Sequence, residues 1–166
     1  MKNLCKKLFL AALAVPLLGL YSCGKDEGRT LNGTFVFREV YDMVLYMSNG
    51  VSVSARATGE LEEEMATGQG EALNDLLVNI SYKFEGEACY MTMYGVTMQG
   101  TYTLSDSDRL TMNFPGLTLP IKYVEDPAGH MFILDVETLK ATGGDVSQLN
   151  ELGAENIEYW LLMKKQ

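Results

Sequence analysis

The chain has 166 residues, of which 47% are apolar and 21% charged, with a formal net charge of −9. That length suits one domain with a substantial core, and that balance excludes both a disordered chain and a polytopic membrane protein. An acidic surface repels phosphate backbones, whose neutralisation needs clustered Lys and Arg, so nucleic acid is excluded as a partner.

The first segment, residues 1–22, carries Lys2, Lys6 and Lys7 and then an uncharged apolar run from Leu8 to Tyr21. The run has fourteen residues and is interrupted by Pro16, whereas a bilayer span needs about 20. A basic start and a short apolar run read as a secretory signal. Its removal takes away three lysines and no acid, moving the formal charge from −9 to −12. Residues 23–30, CGKDEGRT, are polar and Gly-rich and read as a flexible tether. The folded domain is expected over 31–166.

Two strands open that domain, Gly33 to Met47 and Val51 to Thr58, joined at Ser48-Asn49-Gly50. Asn-Gly between strands favours a tight hairpin. Residues 59–70, with Glu62, Glu63 and Glu64, read as a loop or short solvated helix. Ala72, Leu73, Leu76 and Leu77 have helical spacing, but Leu76, Val78, Ile80, Tyr82 and Phe84 alternate with less apolar neighbours. The alternation predicts helix only as far as Asp75 and a strand from Leu76 to Glu85.

From Glu87 to Val136 the pattern is a meander. Cys89, Met91 and Met93 alternate with Tyr90, Thr92 and Tyr94, and Met98, Gly100, Tyr102 and Leu104 follow on the next strand. Turns fall at Ser105 to Asp108, Phe114-Pro115-Gly116 and Asp126 to Gly129. Residues 136–153 gain helical spacing at Val146, Leu149 and Leu152 before ENIEYWLLMKK closes the domain as a strand.

The expected fold is therefore all-β: an antiparallel meander of about eight or nine strands closing into a barrel. A short helical excursion precedes the last strand, which lies beside the first. Closure is the economical form because it removes aggregation-prone edges. Phe35, Phe37, Tyr82, Phe84, Met91, Met93, Met98, Tyr102, Met112 and Phe114 are the candidate interior. Nine methionines lie in the expected domain, and such flexible, polarizable side chains either fill a small core or line a site for apolar ligands.

Cys23 stands between the apolar run and a burst of charge, and Cys89 is the other cysteine beyond the signal. Leu20-Tyr21-Ser22-Cys23 resembles the lipobox of bacterial lipoproteins. The resemblance implies cleavage before Cys23, a diacylglyceryl group on its sulfur and an acyl chain on its nitrogen, so that the membrane is a partner through acyl chains. Multiple chains make such an anchor stable. Lys25-Asp26-Glu27 is similar to the lipoprotein export signal of Bacteroidota, which implies the outer face of the outer membrane. Cys89 is then unpaired, and a buried thiol is expected.

Leu31-Asn32-Gly33-Thr34-Phe35 and the hairpins from Tyr90 to Met112 resemble the lipocalin-like domains of Bacteroidota lipoproteins, with Phe35 where that family places a tryptophan. This second resemblance implies a non-enzymatic barrel that binds ligands or serves a structural role.

Sites for catalysis are hard to assemble. His130 is the single histidine, and an exposed turn position is expected for it. Any His-dependent triad, dyad or metal site would have to use it. Thr67 to Ala72 lacks the Lys-Ser/Thr of a phosphate loop, and no Gly-x-Ser-x-Gly elbow occurs. Asp135 is the best lone acid for glycoside hydrolysis, yet no carboxylate pair stands out. Ser105 to Asp108 lacks the terminal glutamate of a calcium loop. No catalytic residue, metal or cofactor is expected. The reading is a lipid-anchored surface lipoprotein with a non-catalytic binding barrel for a small apolar ligand. An accessory subunit of a surface complex, using Tyr90, Tyr94 and Trp160, is the alternative, and a glycan-acting enzyme a remote one.

Overall fold

The computed structural model describes residues 29–66, 75–144, 146, 147, 149 and 153–166. Strands β1 (Gly33–Met47) and β2 (Ser52–Ser54) are followed by two short helices, α1 (Ala55–Thr58) and α2 (Leu61–Met65). Five strands then run as a meander: β3 (Ile80–Glu85), β4 (Ala88–Met93), β5 (Val96–Leu104), β6 (Arg109–Phe114) and β7 (Leu117–Asp126). After β8 (Gly129–Leu134) come helix α3 (Val136–Ala141) and strand β9 (Ala154–Lys165).

All pairings are antiparallel, and β1 closes the circuit. Its first residues pair with β3 (Phe35 opposite Tyr82), and from Phe35 to Met47 it pairs with β9. Eight strands, β1 and β3 to β9, thus form a closed barrel, and β2 adds a ninth strand outside it. The all-β barrel, its strand number and its last strand beside its first are as the sequence predicts.

The long strand β1 bends as it closes the barrel. Register shifts against β9 occur between Phe37 and Glu39 and between Val40 and Asp42, where extra residues increase local twist. β1 leaves β3 after Val36 and meets β2 only at Val44. Residues 37–43 therefore carry no strand on that edge.

Alternation produces the core. In β3, Ile80, Tyr82 and Phe84 are buried while Lys83 and Glu85 are exposed. Facing strands supply Met91, Tyr102, Met112, Leu119, Ile121 and Phe132 to the same interior. Phe35 sits among Phe84, Tyr123 and Phe132 with ring centroids 5.5 to 6.4 Å apart. Edge-to-face contacts of this kind add to the free energy of burying the rings.

Two local expectations change. The strand predicted from Leu76 begins at Ile80, and residues 75–77 are helical. Leu77 and Ile80, three apart, are buried at 2% and 7% exposure, while Leu76 and Val78 remain 39% and 54% exposed. Helical spacing therefore prevails there over alternation. The strand predicted over 51–58 stops at Ser54, whose hydroxyl caps α1 by accepting from the Ala57 N–H at 3.0 Å. The Asp42 carboxylate takes the Arg56 N–H at 3.0 Å, and these two acceptors turn the chain into a helix. Asp135 is the N-cap of α3, accepting from the N–H groups of Glu137 and Thr138.

Candidate functional site

The two ends of the barrel differ. At one end the chain before β1 crosses the opening: Leu31 is buried, its N–H donates to the Tyr102 hydroxyl at 2.8 Å, and that hydroxyl donates to the Leu31 carbonyl at 2.9 Å. Arg29 pairs with Asp108 and lies over the Tyr123 ring at 6.0 Å. Beneath this strap the aromatic cluster around Phe35 fills the barrel.

His130 belongs to that closed end. Its ring packs edge-on against Phe35 at 5.0 Å, and its Nδ1 lies 2.8 Å from the Tyr123 hydroxyl, which donates to Glu125 at 2.8 Å. The expected exposed turn histidine is instead a half-buried part of the core, because its place in β8 opposite Met163 turns it inward. Burial, and then Glu125, push the Tyr123 hydroxyl well above the usual tyrosine range. Among the described residues no group of three His, Cys, Asp or Glu side chains is placed to hold a metal. Cys89 is fully buried, its thiol donating to the Thr101 carbonyl at 3.3 Å, and burial pushes its pKa up to about 11.

At the other end the core is half open. Phe37, Val40, Met98, Leu117, Leu134 and Tyr159 pack on the core yet remain only partly buried. Beyond them lie the large apolar side chains that are exposed among the described residues. Val51 and Val53 flank the β1–β2 hairpin, Leu76 and Val78 precede β3, and Tyr94 and Val96 form the tip of the β4–β5 hairpin. The Tyr94 hydroxyl donates to the Asp75 carbonyl at 3.2 Å, bringing the last two groups together.

Beside this end, where β1 has parted from β3 and not yet met β2, a groove of about 610 Å³ opens. Its apolar lining is Phe37, Val40, Leu61, Met65 and Val78, with Arg38, Glu39, Arg56 and Glu62 around it. Phe37 and Val40 also pack on the barrel core, so the groove borders both the interior and the outer surface.

The residues singled out from sequence divide between these regions. Phe35, Tyr82, Phe84, Met91, Tyr102, Met112 and Phe114 are buried in the core, and Phe37 and Met98 are partly buried against it. Met93 is partly buried near the open end of β4. Tyr90 is partly buried with the Lys83 ammonium 5.7 Å above its ring, Tyr94 is 60% exposed, and Trp160 packs with Met131, Ile133 and Leu162. Cys23, Lys25, Asp26 and Glu27 lie outside the described residues.

Sequence reasoning missed a buried acid on the outer face of the barrel. Glu158 in β9 is 3% exposed and holds Tyr46 Oη at 2.8 Å, Trp160 Nε1 at 3.1 Å and the Lys122 ammonium. Burial, then Glu158, push the Tyr46 hydroxyl up to about 12. The alternation of Glu158 with Ile157 and Tyr159 signals its outward direction, but its three partners come from β1, β7 and β9 and have no sequence signature.

This architecture defines a closed antiparallel barrel of eight strands with one strand added, compatible with a lipocalin-like fold. Searches of family models, curated proteins and solved structures found no match to the chain.

Proposed function

We propose that the protein is a lipid-anchored, surface-exposed lipoprotein of the bacterial outer membrane, whose barrel is a non-catalytic module binding a small apolar ligand at its half-open end. The carrying observation is the polarity of the barrel: Arg29 and Leu31 lie across the filled end, and the exposed apolar side chains gather at the other. From Cys23 to Arg29 the chain reaches at most about 20 Å. An acylated Cys23 therefore keeps the filled end next to the lipid and turns the open end and the groove outward. An apolar rim around a concavity of this size is the usual form of a small-ligand site.

The same rim supports a second reading, an accessory subunit that presents Leu76, Val78, Tyr94 and Val96 to a surface protein. The two separate on mass spectrometry of the lipoprotein extracted from its membrane. A co-extracted small apolar molecule, lost in a Val40→Glu variant, supports the ligand-binding module, whereas a co-extracted protein released by Tyr94→Glu supports the subunit. For the anchor, Cys23→Ala is expected to abolish metabolic acyl labelling and membrane fractionation, and unchanged fractionation rejects it. Alanine at Lys25, Asp26 and Glu27 is expected to reduce surface protease accessibility while acylation persists; unaltered accessibility rejects the export signal.

A further inference from the structure

Among the described residues, the groove beside β1 has one cation with no ion-pair partner. Of the four arginines, Arg29 pairs with Asp108, Arg38 lies 3.8 Å from Glu39, and Arg109 lies 2.6 Å from Glu137. Arg56 forms no ion pair among the described residues and is exposed, yet its side chain makes two contacts with Tyr41 of β1. Its guanidinium centre lies 3.9 Å from the Tyr41 ring centroid, its Nη1 donates to the Tyr41 carbonyl at 3.0 Å, and its backbone N–H is held by Asp42. A guanidinium has five N–H donors in a fixed fork, and only one is spent on that carbonyl. A guanidinium already stacked on a ring and bonded to a carbonyl loses less entropy on meeting a carboxylate or phosphate, which it is shaped to grip.

Beside it runs the apolar part of the same groove, Phe37, Val40, Leu61, Met65 and Val78. Its volume of about 610 Å³ falls within the range of small-ligand sites, about 300 to 1,000 Å³. Glu39 is drawn toward Arg38, leaving Glu62 as the lining carboxylate without an ion pair among the described residues.

We infer that this groove binds a linear amphiphile with an anionic head, a carboxylate or a phosphate, whose head sits on Arg56 and whose chain lies along Phe37, Leu61 and Val78. This deepens the binding reading above and rests on it. It also assigns the site to the gap in the barrel wall, outside the packed interior.

The test uses the full acylated chain in its membrane and a photoreactive twelve-carbon acid carrying a diazirine on its chain, beside the matching alcohol. After irradiation, labelled peptides are mapped by mass spectrometry. The acid is expected to label the peptides containing Phe37 and Leu61 at least about tenfold more than the alcohol does, as a charge-assisted contact implies. Arg56→Gln should reduce acid labelling to the level of the alcohol and leave the alcohol unchanged, while Glu62→Gln should increase acid labelling by removing like charge. Competition by excess dodecanoate but not dodecyl phosphate, or the reverse, supports the site and identifies the head. Equal labelling by acid and alcohol overturns the anionic head while leaving a binding groove. Labelling of neither groove peptide by either compound overturns the site itself, and apolar labelling near Leu134 and Tyr159 alone would retain only the binding module. A circular-dichroism melt of Arg56→Gln unchanged from wild type ties its loss of labelling to the contact.

Discussion

Gly100 in β5 faces the backbone of β6 so closely that a Cβ on it would stand 2.1 Å from the Asn113 carbonyl oxygen and 2.8 Å from the Phe114 ring. Neither can retreat without parting the two strands, since Thr101 pairs with Asn113 in the register that places Tyr102 opposite Met112. Gly100→Ala is therefore expected to destabilise the barrel by about 3 kcal/mol, lowering its melting temperature by roughly 10 °C. The measurement is a thermal melt, and a loss below 1 °C would show that β5 and β6 can separate at no cost.

Glu158 couples three strands through one carboxylate. Glu158→Ala leaves the Tyr46 hydroxyl and the Trp160 N–H without their acceptor in a site that water reaches poorly, which is expected to cost about 3 kcal/mol in urea unfolding. Lys122 is half exposed and regains water, so Lys122→Ala alone should cost less than 1 kcal/mol. In Glu158→Gln the charge is removed while the packing remains. The Tyr46 hydroxyl, at about 12 in the wild type, should then ionise at lower pH in a spectrophotometric titration, though burial still holds it above its ordinary value. An unchanged titration would detach Tyr46 from Glu158.

How far the sequence reveals this arrangement follows from the range of the forces involved. Alternation from Tyr82 to Phe84 and from Leu110 to Phe114 reports one buried face strand by strand, and Asn49-Gly50 encodes its hairpin locally. The groove is not legible in that way, because it exists where β1 leaves one neighbour before reaching the next, a consequence of the whole circuit. Leu76 and Leu77 show the limit within a single turn. Both periodicities include Leu76, and only packing decides that Leu77 goes inside. Arg56 reads as a charge in a short strand until Ser54 and Asp42 turn that segment into a helix and set its guanidinium on Tyr41.

Alkaline pH should unfold the barrel from within. The Cys89 thiol lies at about 11 when folded against about 8.5 to 9 in an open chain, and Tyr46 lies at about 12 against about 10. Tyr82 and Tyr102 are raised as well, chiefly by burial. For each, the unfolded state releases its proton first, so the folded state binds more protons and stability falls as pH rises. The Cys89 contribution is fully present below about pH 8 and that of Tyr46 below about pH 9, and they are lost as pH rises through 11 and 12. The urea midpoint is expected to stay level with respect to these groups from pH 7 to 8 and to fall above it, and Cys89→Ala should remove the earliest part of the fall. At pH 8 Cys89 should resist a thiol reagent in the native protein and react fully in denaturant.

The strap across the filled end depends on one hydroxyl. Tyr102 both accepts from the Leu31 N–H and donates to the Leu31 carbonyl, at 2.8 and 2.9 Å, while its ring packs edge-on against Phe84 at 4.8 Å. Tyr102→Phe keeps the ring and deletes both bonds, leaving two buried backbone groups unpaired at a cost of about 2 kcal/mol. Residues 29–31 can escape that cost by lifting away, since Arg29 is held mainly by its surface pairing with Asp108. The expected outcome is local: the Leu31 amide loses hydrogen-exchange protection and cleavage after Arg29 accelerates, while amides of β6 and β7 keep theirs. Protection of Leu31 unchanged in Tyr102→Phe would mean that its apolar side chain alone seats the strap. Loss of protection throughout the barrel would mean that the strap is part of the cooperative core and not a latch upon it.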